Sequence, residues 1–254
     1  EDQREWLENL FDNGETAEEK IDALIRKADV QWKRYMERLQ AYSRFLASAG
    51  YSHLLTDPSR LTYTHVLDHA GHRIGIMGLN SAWSCADDNA KGKVWLGRWQ
   101  IVSQYAALRD CDLKLVLSHH PCNWLTEHED PRLARELTKM FHYHLHGHEH
   151  EDWVLEHGRH TRIAAGACYD RITKSNGYNF TRVNLAEHSA EIHLRAYDRQ
   201  GRGWVPHCVH GSTTDLGVWN TRHMRPSAPS LERVAVVTPA PDSSLASQPR
   251  RQLG

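Results

Sequence analysis

Two stretches decide the fold: LKLVLSHHP at residues 113–121 and FHYHLHGHEH at residues 141–150. Each starts as a short apolar run with strand character and leads into a cluster of histidines. Pro121 and Gly147 are residues that typically end a strand. Ligand sites of α/β proteins lie at the carboxyl ends of the strands. We therefore expect both histidine clusters to lie at one edge of a sheet.

The segments around these two strands alternate between helical and strand patterns. That alternation predicts α/β layers, and the strands that follow residue 160 predict an antiparallel extension. The predicted elements are a hairpin at 61–67 and 73–79 joined at Ala70-Gly71, helices at 96–108 and 131–140, and later strands at 163–167, 178–185 and 191–197.

The first part of the chain predicts one long amphipathic helix. Thr16-Ala-Glu-Glu19 has the spacing of a capping box, which places the N-cap at Thr16. Apolar residues then recur at helical spacing until Gly50, which suits a helix stop. From about Pro226 the composition turns to Pro, Ser, Ala and Arg, which is typical of a flexible tail.

Composition excludes two classes of protein and indicates a compartment. The 31 Lys and Arg balance 32 Asp and Glu, so no basic excess exists for generic polyanion binding, and nucleic acid is expected only as a nucleotide substrate. No run of about 18 apolar residues occurs, so no membrane span is expected. The five cysteines are odd in number and form no Cys-x-x-Cys pair. Free thiols in a reducing cytoplasm are the interpretation, and the expected localisation is cytoplasmic.

Histidine is the unusual residue type, with 19 in the chain. In the second stretch, a histidine occurs at every second position. On a strand, every second residue lies on the same face. A strand that ends at Gly147, followed by a loop with His148 and His150, would aim both rings at one point. Neutral imidazole is a good ligand for Zn, Mn, Fe or Ni. The alternating residues are His142, His144, His146, His148 and His150.

The two histidine motifs resemble the last two motifs of calcineurin-like metallophosphoesterases. The matching residues are His119-His120-Pro121 and Gly147-His148-Glu149-His150, each after a predicted strand. Gly78-Leu79-Asn80-Ser81-Ala82-Trp83 and Ala164-Ala165-Gly166-Ala167-Cys168-Tyr169 add to the resemblance. Together they are similar to a bacterial branch of predicted phosphohydrolases, whose members are often fused to signalling or NTPase modules.

The resemblance implies part of a four-layer α/β/β/α sandwich and a centre of two divalent metal ions, Mn, Fe or Zn. It implies that His119 and His148 bind the second metal and that His150 binds the first. The metals would activate a water that attacks a phosphate mono- or diester. Two neighbouring residues would orient the substrate or support the ligands: His120 as a catalytic residue and Asn123 as a substrate-binding residue. A structural role for His120 stays equally open.

Three motifs of the family are absent from the printed sequence: Asp-x-His, Gly-Asp-x-x-Asp and Gly-Asn-His. The simplest interpretation is that the first half of the catalytic domain precedes Glu1. The domains expected on this basis are a helical insert at 1–50, the C-terminal half of the catalytic domain at 51–206, and a linker or tail at 207–254.

The resulting hypothesis is a phosphoesterase whose histidine ligands lie in this chain, while the chain alone has little or no activity. The expected partners are a phosphate ester substrate and a fused or associated signalling or NTPase module, without a membrane. The main alternative is a degenerate, non-catalytic member that serves as a regulatory or scaffold module. An amidohydrolase and a histidine-rich metal buffer are further alternatives, because both also use clustered histidines.

Overall fold

The computed structural model describes residues 15–85, 87, 89–168 and 176–222. The predicted α/β class is confirmed. The helices are α1 (Glu15–Lys27), α2 (Val30–Glu37), α3 (Gln40–Ser48), α4 (Arg98–Tyr105) and α5 (Arg132–Met140), with short 3-10 helices at Ser52–Leu54, Ala106–Leu108 and Cys122–Trp124. The strands are β1 (Tyr63–His69), β2 (His72–Gly78), β3 (Leu113–Ser118), β4 (Tyr143–His146), β5 (Trp153–His157), β6 (His160–Ala164), β7 (Gly177–Asn184), β8 (Ser189–Asp198), β9 (Gly203–Pro206) and β10 (Val218–Arg222).

A six-stranded sheet in the order β1-β2-β3-β4-β6-β5 forms the centre of the molecule. Strands β2, β3, β4 and β6 are parallel, while β1 and β5 run antiparallel at the two edges. The second sheet has the order β10-β8-β7, and β9 also pairs with β8. The carboxyl ends of β3 and β4 are therefore neighbours in the middle of the first sheet.

Two apolar clusters pack three consecutive layers together: the helices, the first sheet and the second sheet. On one face of the first sheet, Val116 packs in a cluster with Leu133 and Leu137 of α5. On the other face, Leu113 and Tyr143 pack with Ile192 of the second sheet. Alternation along the strands explains this, because neighbouring residues of a strand point to opposite faces. None of the described helices combines the length and the apolar character that crossing a bilayer requires.

The prediction of a single helix from Thr16 to Gly50 was wrong, since three helices occupy this segment. Asp29 ends the first helical run, because its carboxylate accepts the backbone N–H groups of Gln31 (3.0 Å) and Trp32 (3.3 Å) and so caps α2. Ala28 just before it has a φ of 49°, which a continuous helix does not allow. Helical periodicity persisted across the break, so the pattern alone did not reveal it.

The segment 207–254, predicted as a linker or tail, contains one strand among the residues that the structure describes. Residues 218–222 form β10, which pairs with β8 in register from Val218 opposite His193 to Arg222 opposite Ser189. The strand is short, and its position became visible only through its pairing with β8. Residues 223–254, including the Pro- and Ser-rich segment, lie outside the described part of the chain.

Candidate metal centre

The candidate site lies where β3 and β4 end side by side. Ser118, the last residue of β3, is in register with His146, the last residue of β4. The Gly147 N–H donates to the His119 carbonyl over 3.1 Å, so the two loops leave the sheet together. This confirms the expectation that both histidine motifs lie at one sheet edge.

His119, His120 and His148 form a cluster whose ligand atoms lie within 4.8 Å of one another. His148 Nδ1 and His119 Nε2 lie at hydrogen-bond distance, 3.0 Å apart. The His120 and His148 ring centroids are 4.4 Å apart, and those of His119 and His148 are 4.9 Å apart. The three rings thus meet at one point, and they can hold a metal ion.

His148 reaches this point because of an uncommon backbone conformation. Its φ is 74°, in the left-handed region that few residues other than glycine adopt. His150 has a φ of 57°, so the loop turns twice within three residues. The turns direct the His148 ring towards His119, while His150 is exposed to solvent.

Two serines contact His120, at its backbone and at its ring. Ser81 Oγ accepts the His120 backbone N–H (3.2 Å) and lies 2.9 Å from its Nδ1, and the Ser118 hydroxyl donates to the His120 carbonyl (2.8 Å). Only 3% of His120 is exposed. Ser81 lies just after β2, so three neighbouring strand ends contribute to the site. With Nδ1 facing Ser81, Nε2 is the nitrogen that remains for a ligand.

Trp124 and Glu149 form one wall of the site. The Trp124 and His148 ring centroids are 4.0 Å apart and the rings are nearly perpendicular. Trp153 Nε1 donates to Glu149 over 3.2 Å. Partial burial alone would raise the pKa of Glu149. The nearby Trp153, Trp124 and Asn123 side chains nevertheless hold this pKa below its usual range. The carboxylate therefore stays ionised, and its hydrogen bond with Trp153 joins the loop after β4 to the start of β5.

Two imidazoles of the cluster, those of His119 and His120, have lowered pKa values. Burial, followed by the proximity of His148 and His119, lowers the pKa of His120 to about 3. Desolvation and then His150 also lower the pKa of His119. A neutral imidazole has a free nitrogen lone pair, so the lowered pKa values keep these two rings in the state that binds a metal.

The cluster differs from the ligand set that the resemblance implied. It contains His119 and His148 as expected, but its third member is His120, and His150 is outside it. The cluster has no carboxylate among the residues that the structure describes. Asn123 lies in the 3-10 helix next to Trp124 with its side chain at the surface. The donor set of the cluster therefore consists of three imidazoles.

The remaining histidines of the second stretch are structural in position. His142, His144 and His146 are buried, with between 1% and 4% exposed. His144 Nε2 lies 2.8 Å from Ser118 Oγ, the same hydroxyl that donates to the His120 carbonyl. Their alternation predicted a common face, but that face is buried, and only the loop residue His148 belongs to the cluster. Sequence reasoning did not assign roles to Ser81 and Glu149, although both lie within motifs that it identified.

Comparisons with known proteins found similarity only to solved structures. No protein-family model matches the sequence, and no curated protein matches it. A putative 5'-nucleotidase from Staphylococcus aureus is 13% identical over 56% of this chain and 27% of that chain, with a TM-score of 0.31. Vps29 from Chaetomium thermophilum is 10% identical over 64% of this chain and 60% of that chain, with a TM-score of 0.27. Vps29 from Entamoeba histolytica, solved in complex with Zn²⁺, is 13% identical over 63% of this chain and 59% of that chain, with a TM-score of 0.25.

The chain spans about a quarter of the length of the 5'-nucleotidase and less than two thirds of either Vps29. At these identities and TM-scores, the function proposed below depends on the motifs and on the geometry of the histidine site.

Proposed function

We propose that this chain carries a metal-dependent phosphoesterase site at the carboxyl ends of β3 and β4. The observation behind the proposal is the 3.0 Å approach of His119 Nε2 and His148 Nδ1 from the two motifs that resemble metallophosphoesterase motifs. A metal bound there would supply a Lewis acid for the phosphate oxygens and an activated water.

The side chains of the site divide the remaining tasks. His119, His120 and His148 are imidazole donors that would hold the metal. Trp124 covers one side of His148 and limits the access of water there. Asn123 is exposed next to this wall, where its amide N–H groups can donate to an oxygen of a phosphate ester. Without a carboxylate in the cluster, we expect slow turnover by this chain.

The test uses the purified chain with a nitrophenyl phosphate monoester and diester, in the presence of Mn²⁺ or Zn²⁺ or of a chelator. We expect metal-dependent binding of the ester that inorganic phosphate displaces, slow release of nitrophenol, and loss of both in His148→Ala. A variant at the exposed His210, such as His210→Ala, is the matched control and retains binding and turnover. If the metal-loaded chain neither binds nor hydrolyses either ester, the proposal is wrong.

A second candidate function is a non-catalytic binding or scaffold module. It is favoured by the composition of the cluster, in which the described residues provide three imidazoles and no carboxylate. This function predicts binding of the ester without any release of nitrophenol at every metal concentration.

A further inference from the structure

We propose that His119, His120 and His148 bind a single transition-metal ion, with His120 as the third ligand. The inference rests on the metal-binding part of the function proposed above and does not depend on catalysis. It departs from the two-metal centre that the motifs implied, in which His150 was a ligand and His120 was not.

The distances favour one shared ion. Metal–imidazole bonds are about 2.0–2.1 Å long, so two nitrogens 3.0 Å apart can bind the same ion at an angle of about 90°. The ligand nitrogen of His120 lies within 4.8 Å of the other two, and a small shift of the rings brings it to the same ion. No group of three or more ligand residues that includes His150 is formed by the described residues.

Ser81 gives His120 the properties of a metal ligand. Histidines that bind metals usually donate their other ring N–H to an oxygen, which fixes the ring and its tautomer. Ser81 Oγ lies 2.9 Å from His120 Nδ1 and also accepts the backbone N–H of the same residue. Ser81 is itself buried, with 1% exposed, so its hydroxyl has a fixed position. Ser81 is therefore a positioning residue that directs His120 Nε2 towards the cluster.

The chemistry of the donors defines the class of ion. Three imidazole ligands favour Zn²⁺, Co²⁺ or a similar transition metal, whereas Mg²⁺ and Ca²⁺ prefer carboxylate and carbonyl oxygens. The proposal thus predicts binding of Co²⁺ and Zn²⁺ and no competition from a large excess of Mg²⁺.

The experiment titrates the chelator-treated chain with Co²⁺ and follows both the stoichiometry and the visible absorption of the bound ion. We expect one Co²⁺ per chain, displaced by one Zn²⁺. His119→Ala, His148→Ala and His120→Asn each abolish this binding, whereas His150→Asn retains it. Circular dichroism of each variant without metal checks that the chain is folded.

Ser81→Ala provides an independent measurement in case His120→Asn does not fold. Loss of such a supporting hydrogen bond typically weakens metal binding 10–100-fold. Ser84→Ala is the matched control, because Ser84 is also a buried serine, but its hydroxyl donates to the Trp95 carbonyl and not to a histidine of the cluster. We expect weaker Co²⁺ binding and an altered spectrum in Ser81→Ala only.

The proposal is overturned if two ions bind per chain in a manner that requires His150, or if both His120→Asn and Ser81→Ala bind Co²⁺ as tightly as the unaltered chain. Failure of the phosphoesterase function gives a different result, namely a chain that binds one Co²⁺ but does not bind a phosphate ester.

Discussion

Individual histidines inside the molecule determine how it responds to acid. His160 is 1% exposed, and its Nδ1 N–H donates to the Phe141 carbonyl over 2.8 Å. Burial is the main cause that lowers the pKa of His160 to about 4. Burial also lowers the pKa of His144 well below its usual value. These rings are neutral in the folded protein at pH 6, where the same rings in the unfolded chain are partly protonated.

The first prediction concerns His160→Asn. The pKa of His160 is about 4 in the folded protein and about 6.5 in the unfolded chain. Between these two pH values the unfolded chain binds more protons than the folded protein, so stability is lost as the pH falls from 6.5 towards 4. Asparagine keeps a donor for the Phe141 carbonyl but does not titrate. The loss between pH 7.5 and 5.5 should shrink by about 1 kcal/mol in urea unfolding. His210→Asn, at an exposed position, is the control and should lose as much stability between pH 7.5 and 5.5 as the unaltered chain does. The prediction is contradicted if His160→Asn also loses as much stability as the unaltered chain.

At the scale of single elements, two carboxyl groups organise the start of α4, one buried (Glu129) and one partly buried (Asp22). Glu129 accepts the backbone N–H groups of Leu96 (2.6 Å) and Gly97 (2.7 Å), and Asp22 of α1 accepts that of Trp99 (2.7 Å). The first N–H groups of a helix have no partner within it, so Asp22 replaces a local cap, while Glu129 holds the two residues that precede the helix. Gly97, the N-cap residue of α4, has no side chain for this purpose. The cap is therefore supplied by distant parts of the chain.

The second prediction concerns Glu129→Gln. Burial raises the pKa of Glu129 to about 8, and the two backbone N–H groups counteract only part of the increase. The folded state thus holds a proton that the unfolded chain releases above about pH 4.5, and stability falls as the pH rises from 4.5 to 8. Glutamine does not titrate, so Glu129→Gln removes this dependence of stability on pH. The glutamine amide N–H₂ group would also face one of the backbone N–H groups, which lowers the stability at pH 5.5 by about 1–3 kcal/mol.

Urea unfolding at pH 5.5 and 8.5 measures both effects. Glu127→Gln, at an exposed neighbouring carboxylate, is the control and should behave like the unaltered chain. An unchanged pH dependence in Glu129→Gln would show that Glu129 is ionised throughout this range.

At the scale of the whole molecule, the first two helices are joined to the body of the protein by an aromatic cluster. Trp32 and Tyr35 of α2 contact Trp83, with ring centroids 5.2 and 5.6 Å apart. Trp83 lies just after the Asn80-Ser81 segment that supports His120. Ile25 of α1 packs in the same cluster, next to Gly97. The helical segment therefore stabilises the segment that supports the candidate metal centre.

The third prediction tests this packing with Gly97→Ala. The new Cβ would lie 2.0 Å from Ile25 Cδ1, and φ at Gly97 is 85°, so the variant suffers both a clash and backbone strain. Gly92→Ala is a matched control, because φ there is 75° but no atom lies within 4 Å of its Cβ. We expect a loss of about 1 kcal/mol at Gly92 and about 3 kcal/mol at Gly97 in thermal or urea unfolding. Equal losses would mean that α1 does not pack tightly on the start of α4.

The sequence by itself determined the α/β class and the two strands that lead to the site. Residues 113–117 and 141–146 were predicted as strands, and β3 and β4 occupy these positions. The hairpin of β1 and β2 was also predicted, since Ala70-Gly71 carries the turn signal. Short-range patterns sufficed here, because strand runs and turn residues depend on neighbours within a few positions.

Only the tertiary structure showed that His120, and not His150, joins His119 and His148 in the cluster. Alternation along the chain treated His142 to His150 alike, whereas burial separates His144 from His148, and the left-handed backbone at His148 turns its ring towards His119. The Asp29 break between α1 and α2 and the pairing of β10 with β8 were likewise missed. His120 joined the cluster through Ser81, a residue 39 positions earlier in the chain. Contacts between such distant residues arise from the packing of strands β2, β3 and β4, which local sequence patterns do not encode.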